Sequence, residues 1–166
     1  MKHCPRCGAS TDAPPVECAT CGYEVFLNPR PTGTAIIFDD ADRFVVIRRA
    51  RPPQVGWWDL PGGFCDGWEH PRDAAVREAR EELGVEVRLG DFVGMWIGTY
   101  EYQNEQLSVL DCFWLARLAP GATITLDTSE GTEYAWVPLS DPPPLAFITM
   151  ESAIREVRRS PGRLVP

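Results

Sequence analysis

A chain of sheet and helices is predicted, an α+β unit or a three-layer α/β/α sandwich, preceded by a small ribbon pinned by cysteines. Three observations point there. Two Cys-x-x-Cys pairs lie within the first 21 residues, β-branched runs then alternate with helical segments in the order strands, helix, strands, helix, and a Gly-Gly loop precedes the first helix. At 166 residues and 44% hydrophobic content, the chain has the material for a packed core, which excludes a wholly disordered or fibrous protein. Its parts are expected to be residues 1–31, ribbon and linker, and residues 32–166, the sandwich. The net charge of −8 argues against a surface built for phosphate backbones, so nucleic acid is not an expected partner. Apolar stretches reach about five residues where a membrane helix needs about twenty, so no membrane span is expected. The start, Met1-Lys2-His3-Cys4-Pro5, lacks the apolar core of a secretory signal, which makes the reducing cytoplasm the expected location. Six cysteines then call for an explanation other than disulfides.

The first element supplies it. Cys4-Pro5-Arg6-Cys7-Gly8 and Cys18-Ala19-Thr20-Cys21-Gly22 are two Cys-x-x-Cys-Gly units with ten residues between the pairs. Each spacing lets a tight turn aim two sulfurs at one point, and the trailing Gly accepts the positive φ such turns need. Together Cys4, Cys7, Cys18 and Cys21 complete a tetrahedral thiolate set for structural zinc, with no position left open for chemistry and no need of His3. So short a segment buries too little apolar surface to fold alone, and metal bonding offsets the deficit. Cys65 and Cys112 stand apart in apolar surroundings; Cys112 reads as a small core residue, and Cys65 lies close to the motif below, where His3 and His70 as the chain's two histidines give a nucleophilic triad little support.

Residues 23–31 lead out of the ribbon as a linker or strand, because Asn28-Pro29-Arg30-Pro31 cannot continue a helix. Thr34-Ala35-Ile36-Ile37-Phe38 and Arg43-Phe44-Val45-Val46-Ile47, separated by Asp39-Asp40-Ala41-Asp42, predict an antiparallel hairpin. His70-Pro71 opens a helix that Gly84 closes after Leu83, with Ala75, Ala79 and Leu83 forming a narrow apolar stripe toward the sheet. Further strands are expected within residues 85–102, 106–118 and 134–139. A second helix is expected over residues 145–159 after Pro142-Pro143-Pro144, with Ile148, Ile154 and Val157 facing inward.

The first helix carries the candidate chemistry. Glu78, Glu81 and Glu82 stand at i, i+3 and i+4, neighbours on one helical face where like charges repel. A solvated acidic face is the plain reading of such a cluster taken alone. Its context adds Leu60-Pro61-Gly62-Gly63-Phe64, a loop where backbone can approach a ligand closely, and then Glu69. Written out, the stretch is Gly63, five residues, Glu69, seven residues, Arg77-Glu78-Ala79, one residue, Glu81-Glu82, one residue, Gly84-Val85. It resembles the 23-residue signature of the Nudix hydrolases at every specified position. The resemblance is direct over residues 63–85 and looser over residues 32–141. A zinc ribbon ahead of such a domain is similar to the NADH pyrophosphatase-like and ADP-ribose pyrophosphatase branches. One departure is local: members often have Gly directly before the Glu matching Glu69, whereas here Gly67 comes one residue early and Trp68 fills that place.

The resemblance implies metal-dependent hydrolysis of a pyrophosphate bond in a nucleoside diphosphate linked to another moiety, such as ADP-ribose or a dinucleotide. An acidic chain needs a divalent cation to hold so anionic a substrate, which makes Mg²⁺ or Mn²⁺ the expected catalytic metal. Carried over by position, Glu78 and Glu82 are the principal ligands and Glu81 an additional or water-mediated one, with the Gly62 carbonyl and Glu69 completing the set. Arg77 orients the box through Glu69, or pairs with Glu81 at i+4. Glu130 is the favoured general base over Glu133, with Glu78 a further candidate. Arg48, Arg49, Trp58 and Tyr100 are candidate substrate contacts, against plain roles in solubility for the arginines and in packing for Trp58. The array that NADH pyrophosphatases carry downstream of the box is missing between Val85 and Trp114, which demotes NADH. The competing class is a non-catalytic nucleotide-sensing or protein-binding module on the same fold, and cap removal from RNA shares the chemistry. A homodimer is compatible with the family.

Overall fold

The computed structural model describes residues 3–159. At its start the cysteine pairs form two matching turns: the Gly8 N–H donates to the Cys4 carbonyl at 2.9 Å and the Gly22 N–H to the Cys18 carbonyl at 2.8 Å. Both glycines adopt left-handed φ, +76° and +68°, which a Cβ would penalise. Beside the turns β1 (Val16–Glu17) and β2 (Glu24–Val25) pair antiparallel. The ribbon's buried interior is Cys4, Cys18 and Val25, too little apolar surface to hold a fold unaided.

The main sheet is centred on β3 (Arg30–Phe38), which runs parallel to β8 (Glu105–Leu118) over its whole length. Strand alternation divides its apolar residues between two cores. Ala35 and Ile37 pack with Ala75, Ala79 and Leu83 of α1 (Pro71–Leu83), while Ile36 and Phe38 pack with Ala153, Ile154 and Val157 of α2 (Ile148–Arg159). A strand apolar at consecutive positions is therefore buried on both faces, and the expected α/β/α sandwich results. β7 (Val87–Tyr102) lies antiparallel to β8 at the sheet's edge.

The expected hairpin forms between β3 and β4 (Arg43–Arg49), its turn nucleated by the Asp39 carboxylate, which accepts from the N–H groups of Ala41 and Arg43 at 3.0 and 2.8 Å. Its ladder is confined to Phe38↔Phe44. Beyond that pair β4 takes β9 (Gly131–Pro138) and β5 (Trp58–Asp59) as neighbours, and β6 (Gly62–Phe64) occupies the edge of β3 at Thr32–Thr34. This fork in the sheet brings the Gly loop against the helix that follows it.

α1 has the boundaries its caps dictate. His70 Nδ1 accepts from the Arg72 N–H at 3.1 Å, Pro71 occupies the first turn, and Gly84 closes the helix at φ +64°. The helix sits close on β3 because Gly33 has no side chain: a Cβ there would lie 2.0 Å from the Pro71 carbonyl oxygen and 2.7 Å from the Ala75 nitrogen. α2 begins at Ile148, three residues later than expected, because residues 145 and 146 bind β5 instead, the Ala146 N–H donating to the Trp58 carbonyl at 2.7 Å. The inward place given to Ile148 is corrected: it is 66% exposed, and Met150, Ala153, Ile154 and Val157 form the buried face. Six residues separate Ile148 from Ile154, about 1.7 turns, so the two cannot share a face.

Candidate active site

Arg77 is the hub of the acidic helix. Its Nε and Nη2 donate to the two oxygens of Glu69 at 2.9 Å each, its Nη1 donates to Glu78 at 2.7 Å and Glu81 at 2.8 Å, and its Nη2 also reaches the Phe64 carbonyl at 2.9 Å. Both expected pairings of Arg77 therefore coexist. The planar fork makes this possible, since a single ammonium could not serve so many directions. The bonds to Glu69 hold the guanidinium firmly protonated, and Arg77 in turn holds the Glu69 carboxyl below its ordinary range. Glu69 thus commits both oxygens to Arg77, and the loop before α1 is tied to the helix.

Glu82 points the other way, toward the fork, and accepts from the Gly62 N–H at 3.1 Å. Burial, with the Asp59 and Glu78 carboxylates nearby, pushes its pKa well above the usual carboxylate range, and Glu130 adds to the same field. Burial also raises Glu78, with Arg77 opposing. Gly63 lies directly beneath Glu78, where a Cβ would fall 2.4 Å from Oε1. The donor set is all oxygen, which fits a hard divalent cation such as Mg²⁺ or Mn²⁺. Glu78 and Glu81 face Arg77, while Glu82 is turned to Gly62.

The sequence-predicted contacts around this set are already partnered. Arg48 pairs with Glu133, donates to the Gly56 carbonyl and stacks over Trp58 at 4.3 Å. Trp58 itself packs in the α2-side core. Arg51 pairs with Glu130, and Arg49 pairs with Asp59. Of the two loop glutamates, Glu130 is the one within the field of Glu82, while Glu133 turns to Arg48.

Beside the Gly loop a small cleft opens on the α2 side of the sheet. Gly62, Gly63, Arg49, Tyr100 and Phe147 are among the residues that line it. The Arg49 guanidinium lies 5.2 Å from the Phe147 ring and reaches the Tyr100 hydroxyl at 3.3 Å. Arg49 and Tyr100 were legible as candidates; Asp59, Asp111 and Phe147 were missed, because nothing local marks them and only the sheet order brings them together. Burial and the nearby Glu69 push the Cys65 thiol up to about 11, which disfavours its reactive thiolate form near neutral pH.

In the ribbon, Cys4, Cys7, Cys18 and Cys21 place their sulfurs within 4.8 Å of one another, a cluster that can hold a metal ion and is compatible with a zinc ribbon. Backbone N–H groups of Cys21 and Thr20 draw the Cys18 thiol down to about 7. The Tyr23 N–H favours ionisation of Cys21, yet burial and the facing thiols outweigh it and push that group up to about 12. Four sulfurs so close cannot all ionise without a cation between them, which is the condition a thiolate site meets by binding one.

Comparison with known proteins agrees with this geometry. The family model described as NUDIX domain matches residues 28–158. The chain is 42% identical over 59 residues to the CTP pyrophosphohydrolase of Escherichia coli (strain K12), a match covering 36% of this chain and 44% of that protein. The chain spans about half the length of the curated relatives it matches. Among solved structures, a MutT NUDIX hydrolase from Burkholderia pseudomallei superposes with a TM-score of 0.67 at 28% identity, covering 78% of this chain and 98% of that one. A NUDIX hydrolase from Nitrosomonas europaea reaches a TM-score of 0.75 at 21% identity over 99% of this chain and 96% of the other, a likeness of fold.

Proposed function

From the premise that this chain belongs to the NUDIX family, we propose that it hydrolyses a pyrophosphate bond in a nucleoside diphosphate linked to another moiety, using Mg²⁺ or Mn²⁺ at the acidic helix and a structural zinc in the ribbon. The observation that carries the reading is the undamaged box: Arg77 organises Glu69, Glu78 and Glu81 while Glu82 enters the fork beside Gly62 and Gly63. A helix kept only for stability gains nothing from a carboxylate whose ionisation is penalised by burial and by its neighbours. When bound, the divalent metal polarises the phosphorus, lowers the pKa of the attacking water and stabilises the departing oxygen. Glu78, Glu82 and, more loosely, Glu81 would hold it, with the Gly62 carbonyl as a further oxygen. Arg77, fixed by Glu69, orients the box. Glu130, in the loop before β9, accepts the proton of the attacking water. Arg49 and Tyr100 shape the cleft that receives the organic part of the substrate, and the glycines let the phosphates approach the backbone.

The competing reading, a non-catalytic sensor, predicts a damaged signature, and Glu69, Arg77, Glu78, Glu81 and Glu82 are all present here. The test is product release from ADP-ribose, NADH, FAD, diadenosine polyphosphates and nucleoside triphosphates, followed by mass spectrometry with Mg²⁺ and with chelator. Turnover requires the metal and falls about 100-fold or more in Glu82→Gln. Metal-independent or unchanged turnover rejects the assignment.

A further inference from the structure

The last turn of α1 and the loop that carries Glu130 form one hydrogen-bonded unit. A helix leaves its final carbonyls without helical partners. Here an extended segment runs across them: the Thr125 N–H donates to the Leu83 carbonyl and the Asp127 N–H to the Glu82 carbonyl, both at 2.8 Å. Gly84 makes room for it, since a Cβ there would stand 3.2 Å from both the Cβ and the carbonyl oxygen of Thr125. Ala122, Ile124 and Leu126, at alternate positions, pack against the α1-side core and fix which way the segment faces.

The chain then turns at Asp127. Its carbonyl accepts from the Glu130 N–H at 3.1 Å and the Gly131 N–H at 3.0 Å, and its carboxylate accepts from the Ser129 N–H at 2.8 Å. Asp127 thus bonds at once to the backbone of Glu82 and to that of Glu130. From the other side the Ala50 N–H donates to the Glu130 carbonyl at 2.9 Å, and Arg51 pairs with the Glu130 carboxylate. Any residue could supply the backbone bonds of this turn, but the bond to Ser129 needs an acceptor oxygen on a short side chain. Asp127 is exposed, so packing gives no other reason for its side chain.

We infer that Asp127 is a positioning residue: through the turn it closes, it holds Glu130 against the last turn of α1, so that Glu130 and Glu82 keep one relative placement. This rests on the reading of Glu130 as the base that takes the proton of the attacking water, and adds what fixes that base. In this role the Asp127 carboxylate neither holds metal nor takes the proton; it acts through Glu130.

The experiment measures kcat and KM in Mg²⁺, for the nucleotide hydrolysed fastest, in Asp127→Ala, Asp127→Asn, Glu130→Gln and the double variant Asp127→Ala/Glu130→Gln. Amide hydrogen exchange by NMR and thermal melting are followed alongside. Asp127→Ala melts within about 4 °C of wild type, yet kcat falls about tenfold or more with KM within a factor of about two, and the Glu130 and Gly131 N–H groups exchange about tenfold faster. Asp127→Asn keeps an oxygen for the Ser129 N–H and returns kcat and exchange to within about twofold of wild type. In the Glu130→Gln background the alanine change lowers kcat no further, because the group it positions is gone. The inference is overturned by kcat in Asp127→Ala within about twofold of wild type, by a loss that persists in full in the Glu130→Gln background, or by Asp127→Asn as slow as the alanine variant. Unchanged kcat in Glu130→Gln removes the base assignment and this inference with it. Should the wild-type protein turn over no nucleotide, the hydrolase reading falls, and the hold on Glu130 is judged by exchange: acceleration in Asp127→Ala that Asp127→Asn reverses supports it, and unchanged exchange overturns it.

Discussion

Gly63→Ala separates the fold from the chemistry. The glycine's φ is not in the left-handed region, so alanine costs nothing in backbone conformation. Its new Cβ, however, would sit 2.4 Å from Glu78 Oε1 and 2.6 Å from Cδ, where ordinary contact begins at about 3.5 Å. The Glu78 carboxylate is the end of a flexible side chain and moves away by about 1 Å, loosening its 2.7 Å bond from Arg77. Both side chains of that pair keep some exposure, 23% and 14%, so the bond is discounted to about 1 kcal/mol, or about 2–4 °C in Tm for a chain this size. A displacement of about 1 Å at a catalytic group costs about 100-fold in rate, some ~2.7 kcal/mol of barrier. The assay pairs differential scanning fluorimetry with kcat/KM for whichever nucleotide the protein hydrolyses fastest. A variant that melts within about 4 °C of wild type yet keeps kcat/KM within a factor of about three would refute the idea that turnover depends on where Gly63 lets Glu78 stand.

Gly33→Ala should behave oppositely, because its Cβ meets the backbone of α1 at 2.0 Å from the Pro71 oxygen: Tm falls by roughly 6–12 °C, an overpacking cost of about 3 kcal/mol, with or without metal. Glu130→Gln lowers kcat by about 10²- to 10⁴-fold, whereas Glu133→Gln, which breaks only the exposed pair with Arg48, leaves kcat unchanged. Cys7→Ser lowers bound zinc measured by plasma mass spectrometry from one equivalent toward none, since three thiolates hold the ion far less well than four. The Cys65 thiol, raised to about 11, ionises only as pH climbs through that value, so iodoacetamide labelling followed by mass spectrometry is slow at pH 8 and accelerates toward pH 11. Rapid labelling of Cys65 at pH 8 would contradict the burial that raises it.

Local rules made the helices and the box readable. The caps of α1 are chemical facts of His70, Pro71 and Gly84, and they act within one turn, so the residues alone fixed both ends. The same holds for Glu78, Glu81 and Glu82, whose spacing on a helix follows from 3.6 residues per turn, and for the paired cysteine turns with their trailing glycines. α2 was less legible because its first residues compete with a tertiary partner, β5, whose Trp58 carbonyl takes the Ala146 N–H and delays the helix. A carbonyl more than eighty residues distant leaves no mark on the local pattern.

What the sequence alone determined, then, is which short segments carry the acidic helix, the Gly loop and the thiolate pairs, since each is decided by neighbours a few bonds away. The tertiary structure decided what surrounds them. β3 leaves β4 after one residue pair and accepts β6, and that fork is what aims Glu82 at Gly62 and sets Arg49, Tyr100, Asp111 and Phe147 around one cleft. These residues lie on different strands and a loop, and their meeting depends on the order in which strands pair. That order is set by burying both faces of β3 at once, a condition on the whole chain rather than on any stretch of it.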